Sequence, residues 1–128
     1  GDGIGYVEIE VSPRNTVLDL FVLNRDDRWK QLWSWRSEGL RTAVVVEGDP
    51  TRRGTPDRRW TVEMAVPLDD LLTAPHLPPQ PGDVWWGNVD RIDRAEEGDE
   101  FSAWSPVYRG TFHTPARFGR LLFSGESV

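Results

Sequence analysis

The sequence predicts an all-β fold: an antiparallel β-sandwich with one short helix. Three observations predict it. Short stretches alternate with a two-residue period or are dense in β-branched residues, glycine- and proline-rich breaks separate them, and no long run has helical periodicity. The chain has 128 residues, 38% of them hydrophobic and 28% charged. That is the size and composition of one ordinary globular domain, so residues 1–128 are expected to form a single unit.

Residues 6–11 alternate strictly, with Val7, Ile9 and Val11 on one face and Tyr6, Glu8 and Glu10 on the other, which describes a half-buried strand. A turn at residues 12–15 leads to residues 16–23, apolar but for Asp19, as a central strand covered on both faces would be. Residues 24–36 are polar and rich in tryptophan, and are expected to form a loop leading into an edge strand. Val44, Val45 and Val46 mark a strand over residues 41–47, followed by a charged turn region at 48–59.

Alternation returns over residues 60–66, with Trp60, Val62, Met64 and Val66 inward. Pro67 ends that strand, and residues 68–74 have room for two helical turns before the stiff, donor-poor stretch 75–81. Residues 84–90 form the next strand. Trp85 and Trp86 are adjacent there, so their side chains point to opposite faces, and Val89 beside Trp85 suggests that Trp85, Gly87, Val89 and Arg91 are the inner set. A polar loop over 93–100 precedes a strand at 101–107, and residues 118–123 close the chain.

Charge and composition exclude several functions. A net charge of −6 opposes the approach of a phosphate backbone, so no nucleic-acid partner is expected. Zero cysteines remove disulfides and thiol chemistry. No apolar run approaches the roughly 20 residues that span a bilayer, so no membrane partner is expected either. No Gly-x-Ser-x-Gly elbow, His-Glu-x-x-His helix or phosphate-cradling loop is present, and no pair of acids stands out as a hydrolase dyad.

Four segments in order are distinctive: Tyr6-Val7-Glu8-Ile9-Glu10-Val11, the run from Trp60 through Pro67 to Leu68, Gly82-Asp83-Val84-Trp85-Trp86-Gly87-Asn88-Val89-Asp90-Arg91, and Ser102-Ala103-Trp104-Ser105-Pro106 with the stretch from Phe112 to Gly119. Together they resemble the family 9 carbohydrate-binding modules and the wider DOMON-like group. The resemblance implies a jelly-roll type of sandwich, a non-catalytic module of a polysaccharide-acting enzyme, and an extracellular, periplasmic or envelope location. It also implies a sugar held by aromatic rings, with Phe112 at the later ring position and no clear match at the earlier one. The family pattern places further strands ahead of Tyr6, so the chain is expected to be truncated at its front, with an exposed sheet edge through which a homodimer could form.

A sugar offers a flat C–H patch and a rim of hydroxyls, so its site needs an aromatic plate and planar polar groups. The candidate ligand-binding residues are Trp86, Asn88, Arg91, Trp104, Phe112 and His113. The residues establish no cofactor with certainty, and the resemblance raises structural calcium, for which Asp49, Asp57, Asp69, Asp70, Glu96, Glu97, Asp99 and Glu100 offer oxygens, best around residues 96–100; Gly1-Asp2-Gly3 could end a calcium-type turn. Two alternatives stand beside the carbohydrate reading. One is an assembly domain without ligand, and the other is a haem-binding DOMON-like domain using Met64 and His113.

Overall fold

The computed structural model describes residues 4–25, 28–52, 55, 57–94 and 97–125. Nearly all its regular structure is antiparallel strand, arranged in small sheets, as the all-β expectation requires. Strands β1 (Gly5–Val11), β2 (Val17–Arg25) and β3 (Arg28–Leu32) form one sheet in that order. Strands β4 (Arg41–Glu47) and β5 (Arg59–Ala65) form a second. Strand β6 (Val84–Gly87) pairs with β9 (Gly119–Leu122), and β7 (Asp90–Asp93) pairs with β8 (Glu100–Ala103).

The β1–β2 hairpin closes on a turn in which the Ser12 hydroxyl accepts from the Arg14 and Thr16 amides. Asn15 adopts a left-handed φ of 58°, a conformation that asparagine tolerates better than most residues. Its amide is then placed against Thr42 of β4, tying the hairpin to the second sheet.

The core sits on β2. Leu20 and Val22 are fully buried, and Val107 is the other buried hydrophobic residue among those described. Asp19, on the opposite face of β2, is buried without being stranded: its carboxylate accepts from the Ser37 amide at 2.7 Å and faces Arg36 at 3.6 Å. Ser37 in turn donates to Asp70 at 2.5 Å. Burying a carboxylate is costly unless it is paired, and here the segment after β3 folds back to pair it.

Register decides which face of β1 lies beside the core of β2. Tyr6, Glu8 and Glu10 lie opposite Val22, Leu20 and Leu18, so the polar stripe shares the face of the driest core residues. Alternation alone fixes which residues share a face, and the neighbouring strand decides which face turns inward.

Three expectations are modified. The strand foreseen over residues 84–90 breaks at Asn88 and Val89, because the Asn88 side chain takes over pairing with Ser105 and the backbone restarts as β7. Trp85 packs on Phe123 at 4.7 Å as an inner residue, yet Val89 is exposed because the break ends the alternation that linked them. Residues 68–74 form one 3-10 turn, Leu68–Asp70, followed by tight turns, and a second 3-10 turn spans Pro115–Arg117. Proline on both sides of 68–74 leaves too little chain to nucleate an α-helix. Among the described residues no helix is long and apolar enough to cross a membrane.

Candidate functional site

A groove of about 2130 Å³ runs between β1, β5, the β6–β7 segment and the loop at residues 109–118. Its walls carry apolar rings and chains, Trp60, Val62, Trp85 and Phe112 among them, together with Tyr6, the acids Glu8, Glu10, Asp90 and Asp93 along β1 and β7, and arginines including Arg25, Arg59 and Arg109. Five of the six residues foreseen as ligand contacts border it: Trp86, Asn88, Arg91, Phe112 and His113. Trp104 does not. Its ring lies across Gly119, where any side chain would collide with it, and it borders a shallow hollow with Val89 and Arg91.

His113 is the best-held of the five. Its Nδ1 lies 2.6 Å from the Tyr6 hydroxyl and 3.4 Å from the Glu8 carboxyl. Its carbonyl accepts from the Asn24 amide at 2.8 Å, and Trp29 stacks on its ring with centroids 4.2 Å apart. Three residues distant in sequence, Tyr6, Glu8 and Trp29, therefore converge on one imidazole, and Asn24 holds its backbone.

The protonation states follow from burial. Tyr6 is pushed above the ordinary phenol range, first by burial and then by the Glu8 charge, so its hydroxyl keeps its proton. His113 is pushed below the ordinary imidazole value by burial, against an opposing pull from Glu10. A protonated phenol beside a neutral imidazole makes Tyr6 the donor and His113 Nδ1 the acceptor, which places the ring proton on Nε2.

Glu8 completes the arrangement. Burial, a hydrogen bond to Glu10, and the charges of Glu10 and Asp90 raise its pKa from 4.5 to about 7. Glu8 is thus the proton-carrying member of a carboxyl pair, and burial raises Asp90 as well. This hydrogen-bonded pair is closer than the roughly 5 Å or more that separates glycoside-hydrolase carboxyls.

The other foreseen residues divide between structural work and open surface. Asn88 donates to Ser105 O at 2.9 Å, accepts from Ser105 N at 2.8 Å, and donates to Asp90 at 2.9 Å. It copies a backbone ladder with its side chain, so its amide positions the groove wall. Arg91 pairs with Asp93 along its own strand at 2.6 Å and with Glu100 across the β7–β8 ladder at 3.3 Å, with its guanidinium still partly exposed. Trp86 is 52% exposed, with Arg120 5.7 Å from its ring centre. Phe112 meets Phe101 at 6.0 Å.

The sequence reading did not single out Tyr6, Glu8, Glu10, Asn24, Trp29 and Asp90. The signal is present in part, because Tyr6, Glu8 and Glu10 form a stripe, but alternation does not say which face of the strand is covered. Nothing local announces that Trp29 and Asn24 meet His113, which lies some 85 to 90 residues away in the chain.

For calcium, no group of three or more histidines or acids that could hold a metal ion occurs among the described residues. Asp99 and Glu100 are paired with Arg94 and Arg91. Glu96 and the Gly1-Asp2-Gly3 turn lie outside the described residues. For haem, Met64 and His113 both border the groove, but His113 has one nitrogen engaged by Tyr6 and one ring face covered by Trp29.

The class this defines is an all-β fold with an open groove lined by aromatic rings and by charged groups of both signs. Comparison with protein-family models, with curated proteins and with solved structures gives no match.

Proposed function

We propose that the chain is a non-catalytic carbohydrate-binding module of β-sandwich type, similar to family 9 modules. The observation that carries this is the juxtaposition of Trp86 and Phe112, as aromatic plates, with Arg91 and His113 along one open groove. A pyranose face stacks on the rings, while the guanidinium and the His113 Nε2 proton meet its hydroxyls. Asn88 serves by holding Ser105 and Asp90 in place, and Trp104 serves by packing over Gly119.

Isothermal titration with soluble xylo- and cello-oligosaccharides tests the reading. Binding heat is expected from the unaltered protein, with roughly tenfold weaker affinity for Arg91→Ala and Phe112→Ala, a loss of about 1.4 kcal/mol. Unchanged affinity in both variants would refute the site. No heat with any glycan would favour an assembly domain.

A further inference from the structure

The edge of β1 opposite β2 pairs with no strand among the described residues. Its hydrogen-bonding parity can be read from the ends of the hairpin: the Asn24 amide donates to Ile4 O and the Ser12 amide donates to Thr16 O. In an antiparallel ladder such pairs alternate, so Ile4, Tyr6, Glu8, Glu10 and Ser12 direct their backbone groups toward β2. The amides and carbonyls of Gly5, Val7, Ile9 and Val11 therefore point to the open edge. The strand carries no proline or lysine to blunt that edge.

Beside it lies a groove more than twice the roughly 300–1,000 Å³ of an ordinary small-molecule site, walled by Val62, Met64 and Trp85. Few hydrophobic residues are fully buried around it, and Met64 is 49% exposed. A sugar at the His113 end would leave most of this volume open.

We propose that the β1 edge and the adjoining groove bind an extended peptide segment of a partner protein, by strand addition, in which apolar and basic side chains alternate. The occupant's chemistry follows from the two faces of β1. Its residues opposite Val7, Ile9 and Val11 form hydrogen-bonded pairs with them and continue an apolar stripe. Its intervening residues stand opposite Tyr6, Glu8 and Glu10 in the closer, non-hydrogen-bonded positions, where lysine or arginine answers the Glu8–Glu10 pair and Asp90. A second copy of this chain fits worse, because antiparallel β1–β1 pairing centred on Glu8 or Ile9 sets carboxyls against carboxyls. The proposal does not rest on the saccharide reading.

The test is titration of the full chain with a nine-residue peptide of alternating valine and arginine. Binding is expected. It should weaken at least about tenfold for Val7→Pro, which deletes an outward amide without touching the β1–β2 ladder or the charge. An alternating valine–glutamate peptide should not bind. Independently of any variant, N-methylating the valine–arginine peptide on its β1-facing amides should abolish binding, and methylating the opposite amides should not. Equal binding by the two methylated peptides, or by the glutamate peptide, would overturn the proposal. So would a dimer in sedimentation without peptide that Val7→Pro dissolves, which would identify a second copy as the occupant.

Discussion

Among the fastenings of the segment over residues 104–118 to the rest of the chain, those at Ser105 and at His113 differ in chemistry. At Ser105 the Asn88 amide supplies a donor and an acceptor to backbone groups, and neither partner titrates. At His113 a phenol and a carboxyl meet an imidazole, all three with protonation shifted by burial, beside the Asn24 amide and the Trp29 ring, which do not titrate. One end of the segment is thus held independently of pH, and the other end, which borders the groove beside Phe112, is held in part by contacts that depend on pH. A binding loop can be tuned by its proton-carrying anchor only if its other anchor does not let go.

Removing the first fastening should have the largest effect. Asn88→Ala leaves the Ser105 amide and carbonyl without their partner and is expected to cost about 2–3 kcal/mol, lowering the denaturation midpoint at every pH between 5 and 8. A loss that varied strongly across that range would mean the two fastenings are not independent.

Glu8→Gln sharpens the comparison from the other side. The folded-state pKa of Glu8 is raised from 4.5 to about 7, so the folded chain holds a proton that the unfolded chain releases between those values. Stability from this group is therefore full below about pH 4.5 and falls as pH rises to about 7. Glutamine keeps the hydrogen bond to Glu10 without a titrating proton. The variant should be more stable than the unaltered protein at pH 8, by about 1–3 kcal/mol, and the difference should shrink toward pH 5. His113 works in the reverse sense: its lowered pKa costs stability as pH falls below its ordinary value near 6.5, and that acid-side decline should survive in Glu8→Gln. Thermal denaturation across pH checks both.

Tyr6→Phe removes one hydrogen bond to His113 and should cost about 1 kcal/mol. It should also free Nδ1, which an NMR titration of the imidazole would register as an altered tautomer. Arg91→Ala should have the smallest effect on stability, within about 0.5 kcal/mol, because its ion pairs with Asp93 and Glu100 are exposed. A larger loss would show that the β7–β8 ladder depends on the arginine, and would confuse its use as a binding probe.

Much of this was legible in the sequence. Residues 41–47 are a strand as foreseen, the β1–β2 hairpin follows its turn residues, and Trp85 is the inner member of its pair. These depend on local chemistry: β-branched content, two-residue alternation and turn-forming residues act over a few positions. The break at Asn88 was not legible, because its cause is Ser105, far along the chain. That Tyr6 and Glu8 share the face of Val22 and Leu20 was not legible either, because either face of an alternating strand can be the covered one.

The sequence by itself determined the extended character of the chain, the places where it turns, and a stock of aromatic and acidic residues suited to a polar groove. Tertiary structure alone decided that Leu20 and Val22 share a face with Glu8, and that His113 arrives beside Tyr6 and Trp29. The physical reason is range. Backbone preferences act between neighbours in sequence, whereas burial and proton affinity depend on whatever the folded chain brings within a few ångströms.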